Sequence, residues 1–133
     1  MLLAKDLMTP DPIIIHTNDD PREVLNVFLT KRITALPVDD IKGNILGILS
    51  EMNLVKIMVQ FSTEGKGKKI GNYSSLLEPA TFVKETDNLG SVVKSMVTSK
   101  TYRVLVKNKL EKVVGIISPK DLLKVLAGPL PAT

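Results

Sequence analysis

The chain repeats itself at a fixed interval, and this limits its fold more than any other feature. Gly47-Ile48-Leu49-Ser50-Glu51-Met52-Asn53-Leu54 is followed 68 positions later by Gly115-Ile116-Ile117-Ser118-Pro119-Lys120-Asp121-Leu122. Each copy reads as a short apolar strand that runs into serine and then a helix, with an amide or carboxylate three residues after the serine. Setting 9–56 over 77–124 at that offset needs no gap. Asp19 falls on Asp87, Val24 on Val92, Thr30 on Thr98, Val38 on Val106, Gly47 on Gly115, Ser50 on Ser118 and Leu54 on Leu122. Two copies are too few for a solenoid. A chain of about 60 residues is also marginal alone, because it buries too little of its surface. The expected fold class is α+β (α/β): two pseudo-symmetric βαββα repeats packed as one module.

In chain order, Met1 to Met8 carries apolar residues around Lys5 and Asp6 and suits a short helix or docked arm before the turn at Thr9-Pro10-Asp11-Pro12. Ile13-Ile14-Ile15 reads as a buried strand. Asp20-Pro21-Arg22-Glu23 opens a helix with a capping residue, Pro at the first helical position and Glu at the third. Ala35 to Val38 and Ile45 to Leu49 form a hairpin across Asp40–Asn44. A second helix is expected from Glu51 to about Gln60. From 61 to 72 the Gly, Ser, Thr and Lys content rises and periodicity is lost, which marks a linker between repeat 1 (1–60) and repeat 2 (73–133). Repeat 2 follows the same list: a strand at Phe82-Val83, a cap at Asn88, a helix over Leu89 to Lys100, strands at Arg103–Val106 and Val113–Ile117, and a helix over Pro119–Leu126. Gly128, Pro129 and Pro131 end that helix and leave a short tail.

Composition narrows the function classes. Hydrophobic residues make up 44% of the 133 positions and charged residues 24%, a globular profile. No apolar run approaches the ~20 residues that span a bilayer, and no secretory leader pattern opens the chain. The absence of Cys removes disulfides, thiolate metal sites and Cys nucleophiles, and suits a reducing, cytoplasmic setting. The net charge of +4 has a local source in Lys66, Lys68 and Lys69, but the chain has only three Phe and two Tyr to stack bases. Nucleic acid is therefore not the expected partner.

The Ser-x-x-Asp element admits two readings. In the plain one, Ser118 caps the helix by accepting from an orphan N–H, Pro119 takes the first helical position and Asp121 favours the positive end of the dipole. In the functional one, the strand end and helix start present N–H groups and a hydroxyl to a phosphate. A carboxylate one turn on can then accept from two ribose hydroxyls, and Gly115 permits close approach.

The duplicated strand-helix-strand-strand-helix unit, ending in Gly-h-h-Ser-x-x-Asp, resembles the cystathionine β-synthase (CBS) domain, and the pair resembles a Bateman module. The second copy fits the family motif in full, while the first carries Asn53 where Asp is expected. Leu36-Pro37-Val38 fits the family's strand entry, and Val104-Leu105-Val106 matches it less well. The resemblance implies adenine nucleotide binding in two clefts between the copies. One cleft would use Asp121 on ribose, Ser118 on phosphate, and Ile116, Ile33, Thr34, Ala4 and Thr9 around the base. The other would use Asn53, Ser50 and Ile48, with Tyr102, Arg103, Lys120, Asn72 and Leu77. Arg103 and Lys120 would draw phosphates to the Asn53 group, whereas Asp121 would be the stronger nucleoside reader, since a carboxylate gives charge-assisted bonds and an amide does not.

Other candidates have simpler explanations. Asp19, Asp20 and Glu23 are accounted for by helix capping, and His16, the only His, reads as a solvated strand-end residue with no partner in view. No phosphate loop, dinucleotide fingerprint or Ser/His/Asp arrangement occurs. The expectation is a non-enzymatic, cytoplasmic regulatory module with no required cofactor. Its regulatory ligand would be AMP, ADP, ATP or S-adenosylmethionine, and its partners a second copy in a homodimer and a separate effector protein, with no membrane. The alternative is a nucleotide-independent assembly module whose Ser-x-x-Asp elements are caps only.

Overall fold

A computed structural model describes residues 1–129; the Pro131 part of the expected helix stop lies outside them. The chain divides into two compact units, which do not coincide with the two sequence repeats. Unit 2 is the continuous segment 13–79, whereas unit 1 combines 1–12 with 80 onward.

In unit 2, β2 (Ile15–His16) lies parallel to β3 (Ala35–Asp39), and α2 (Pro21–Lys31) makes the crossover between them. β4 (Ile45–Ser50) pairs antiparallel with β3 and leads directly into α3 (Glu51–Glu64). Asp20 caps α2 by accepting from the Arg22 N–H at 2.8 Å, as its place before Pro21 dictates. Val24 and Phe28 of α2 and Leu54, Ile57 and Phe61 of α3 bury one helical stripe each against Leu36, Val38 and Leu49 of the sheet. The segment expected to be a linker is largely ordered structure. Helix α3 runs one turn past Gln60, helped by the Ser62 and Thr63 hydroxyls, which donate to the carbonyls of Val59 and Gln60. A 3-10 helix then covers Ile70–Leu76 and buries Ile70 and Tyr73, so only the stretch between them is irregular.

Unit 1 repeats this plan. β5 (Phe82–Lys84) is parallel to β6 (Val104–Lys107) across α4 (Leu89–Thr98), and β7 (Val113–Ile117) is antiparallel to β6 and feeds α5 (Pro119–Leu126). Asn88 caps α4 through Ser91 N–H at 2.9 Å. The core gathers Val83, Val92, Met96, Val104, Val106 and Ile117 with Ala4 and Leu7 of the short helix α1 (Ala4–Leu7). Even irregularities recur at the offset of 68. The hairpin register slips at Val38/Asp39 and again at Val106/Lys107. Asp40 and Asn108 each turn the chain by accepting two backbone N–H groups on one side-chain oxygen.

Each unit extends one sheet edge with residues from beyond its own repeat, unit 1 by a fourth strand and unit 2 by a single bridge. β1 (Thr9–Pro10), which opens the first repeat, pairs antiparallel with β7 in unit 1, with Thr9 opposite Ile116. Glu78, which opens the second repeat, bridges Ile48 of unit 2, each N–H donating to the other's carbonyl at 2.8 Å. The sequence-based division at 60 and 73 misses this exchange, because a two-residue edge pairing leaves no periodicity to read.

Candidate functional site

Each unit ends its last strand in the repeated serine, and the two serines are used differently. In unit 1, Asp121 reaches back across the first turn of α5. Its Oδ2 accepts the Ser118 N–H at 2.8 Å and the Ser118 hydroxyl at 3.1 Å, while Oδ1 accepts the Thr9 hydroxyl at 2.8 Å. The Ser118 hydroxyl therefore donates to the carboxylate, and Ser118 and Asp121 close a capping box at the start of α5. In unit 2 the ordinary cap is present: Ser50 Oγ accepts from the Asn53 N–H at 3.3 Å. The Asn53 side chain, largely buried, instead turns to Glu78, donating from Nδ2 to Oε1 at 3.2 Å.

The motif glycines are fixed by what crosses them. A Cβ on Gly47 would stand 2.6 Å from the Glu78 carbonyl oxygen, and one on Gly115 would meet the Met8 side chain. Both positions admit the exchanged edge segment only because they lack a side chain.

The expected site residues divide between the units. Unit 1 holds Asp121, Ser118, Ile116, Thr9, Ala4, Tyr102, Arg103 and Lys120; unit 2 holds Asn53, Ser50, Ile48, Ile33, Thr34, Asn72 and Leu77. Within unit 1, Thr9, Ile116, Ser118 and Asp121 are brought together by the β1–β7 pairing. Lys120 is exposed beside Asp121 on α5. Tyr102 is exposed at a φ of 54°, and the half-buried Arg103 donates from its guanidinium to the Thr101 carbonyl at 2.9 Å. Within unit 2, Ser50, Asn53, Ile48 and Leu77 cluster where Glu78 crosses Gly47. Thr34 is exposed and its carbonyl accepts the Glu51 N–H. Ile33 is half-buried against the core, and Asn72 caps the 3-10 helix by accepting the Lys69 N–H at 2.7 Å. Ala4 and Ile48 are turned inward, 0% and 2% exposed, so their side chains have no surface to offer a ligand.

Sequence reasoning missed Glu78. Its only signal was its alignment, one position past Leu77, with the segment that carries Thr9. His16 was also misread: its ring is half-exposed, but Nδ1 bonds the Asp39 carboxylate. That hydrogen bond, with the charges of Asp39 and Asp19, raises the His16 pKa above its ordinary value despite some desolvation. Among the described residues no group of three or more His, Asp or Glu side chains is placed to hold a metal, and no helix is long and apolar enough to cross a membrane.

Comparison with known proteins gives this arrangement a family. A family profile described as the CBS domain matches residues 4–60 and again 74–128. The chain is 23% identical over 106 residues to the 5'-AMP-activated protein kinase subunit gamma-3 of Sus scrofa, matching 77% of this chain and 21% of that one. It thus spans about a fifth of the length of such curated relatives. CBSX2 of Arabidopsis thaliana, solved in complex with AMP, superposes with a TM-score of 0.75 at 21% identity, covering 96% of this chain and 97% of that one. The CBS domain pair of protein MJ0100, in complex with 5'-methylthioadenosine and S-adenosyl-L-methionine, gives 0.76 at 23% identity over 98% and 99%. With both halves matched and the fold shared from end to end, the chain belongs to the CBS domain family as a tandem pair.

Proposed function

We propose that this CBS pair is a regulatory module that binds an adenosine-containing nucleotide, of the class AMP, ADP, ATP or S-adenosylmethionine, and passes that binding on to an effector protein. The observation that carries the reading is the Asp121 carboxylate, held at the start of α5 by Ser118 on one oxygen and by the Thr9 hydroxyl on the other. A carboxylate fixed in this way is aligned to accept from a ribose hydroxyl, and the α5 N-terminus beside it favours phosphate. The AMP complex of CBSX2 and the S-adenosyl-L-methionine complex of MJ0100 support the ligand class, and the kinase gamma subunit supports a regulatory role. No catalytic step is assigned to the module.

Its helices favour self-association. Leu29 and Val55 of unit 2 are 70% and 53% exposed, and their counterparts at the offset of 68, Val97 and Leu123, are 67% and 65% exposed. An apolar stripe displayed twice in this way suits a homodimer formed through the outer helix faces. A cytoplasmic location accords with the absence of Cys.

Thermal unfolding with AMP, ADP, ATP, S-adenosylmethionine and NAD at millimolar concentration tests the ligand reading. A ligand at 100 times its Kd stabilises by roughly 2.7 kcal/mol, a shift of several degrees. Five flat titrations would reject the sensing function. Asp121→Ala separates it from the pure assembly reading: a sensor loses the share of the ligand-induced shift that unit 1 contributes, whereas a cap alone loses stability with no ligand present.

A further inference from the structure

We infer that Glu78, a half-buried residue outside the repeated motif, is the group with which unit 2 accepts the paired hydroxyls of a ribose. The inference rests on the nucleotide-binding reading above and deepens it.

The two units solve one problem with the charge in different places. Thr9 and Glu78 occupy matching positions: each lies on the edge segment, opposite Ile116 in one case and Ile48 in the other. Each is hydrogen-bonded to the third motif residue, Thr9 to Asp121 at 2.8 Å and Glu78 to Asn53 at 3.2 Å. In unit 1 the helix supplies the carboxylate and the edge supplies the donor. In unit 2 the helix supplies the donor and the edge supplies the carboxylate. Asn53 therefore does not leave its half without an acidic acceptor, as the motif alone suggested.

The hydrogen-bond inventory favours Glu78 as the diol acceptor. A carboxylate has about four acceptor sites, and Asp121 already receives three donors, from Ser118 N–H, Ser118 Oγ and Thr9. Among the described residues Glu78 receives one, from Asn53. Its backbone is fixed by two bonds to Ile48, so the carboxylate projects from a rigid edge. A vicinal diol donating to Glu78, with Asn53 holding the other side of the carboxylate, is the chemistry this pair accepts.

Isothermal titration of the full chain with adenosine and with 2',3'-dideoxyadenosine tests this in the Asp121→Ala background, where unit 1 no longer reads ribose. Adenosine binding that remains there should weaken at least tenfold on adding Glu78→Gln and lose its preference over the dideoxy analogue. Gln keeps an oxygen for Asn53, and an unchanged melting midpoint would confirm that the fold is retained. Binding altered less than twofold by Glu78→Gln, or no adenosine binding in the Asp121→Ala chain, would overturn the inference while leaving the nucleotide function of unit 1 intact. A wild-type chain that binds neither adenosine nor any of the five nucleotides would overturn both.

Discussion

Gly43 and Glu111 stand 68 residues apart and take the same left-handed backbone, with φ of 88° and 62°, at the turns of equivalent hairpins. Each donates its N–H to the residue three before it, Asp40 at 3.1 Å and Asn108 at 3.0 Å. Glycine adopts this conformation freely, and glutamate does not. Glu111 gains only a 3.7 Å contact with Lys107 at a position four-fifths exposed, and such pairs are worth little. Glu111→Gly should therefore stabilise unit 1 by roughly 0.5–1 kcal/mol, and Gly43→Ala should destabilise unit 2 by about 1 kcal/mol. Urea unfolding of the two variants would check the opposite signs.

The two motif glycines differ in what would have to yield. At Gly47 an added methyl meets the backbone oxygen of Glu78, which two hydrogen bonds to Ile48 hold in place. At Gly115 it meets the Met8 side chain, which can rotate in part. Gly47→Ala should cost about 2–3 kcal/mol and exceed the cost of Gly115→Ala. Only the latter should be relieved by Met8→Ala, and a double-mutant cycle would read that coupling.

The Tyr73 hydroxyl is buried in unit 2 with no hydrogen-bond partner among the described residues. Burial, and then the Glu64 charge, push its pKa up. A hydroxyl taken out of water without a partner costs about 1–3 kcal/mol. Tyr73→Phe should leave the packing unchanged and raise stability by about 1 kcal/mol, measured as an increase in the urea midpoint at constant slope.

His16 gives the stability of unit 2 a pH dependence of known sign. Its folded pKa is raised by the Asp39 hydrogen bond first and by the Asp39 and Asp19 charges after it. The contribution is therefore complete below the unfolded value of about 6.5 and is lost as pH rises through the higher folded value. The half-exposed ring keeps it below about 1 kcal/mol. The melting-temperature difference between wild type and His16→Gln should be larger at pH 5.5 than at pH 8.5; an equal difference at both would refute the ion pair.

Local chemistry made much of this fold legible. Asp20 and Asn88 cap their helices where the sequence places them, and the hairpins turn on Asp40 and Asn108, because those side chains bond backbone only a few residues away. What escaped depends on distant partners. Glu78 looks like any surface glutamate until its crossing over Gly47 sets it beside Asn53, 25 residues away. Phe61 and Tyr73 lie in a stretch whose glycines and lysines suggest a linker, yet both are held in the core of unit 2. The Ser118 hydroxyl could be read as a cap from sequence, but its direction depends on a carboxylate that Thr9 also holds.

Unit 2 is one uninterrupted stretch, whereas unit 1 is built from the two extremities of the described chain. During synthesis the interior stretch can collapse as soon as it leaves the ribosome, while the opening helix and Thr9-Pro10 must wait for β7 to be made. Closing that long loop adds an entropic cost that grows only slowly with its length. The half that carries the intact Ser-x-x-Asp is thus the later of the two to mature, and a nascent chain acquires Asp121 and its Thr9 partner as a working pair only after β7 and the start of α5 have been made.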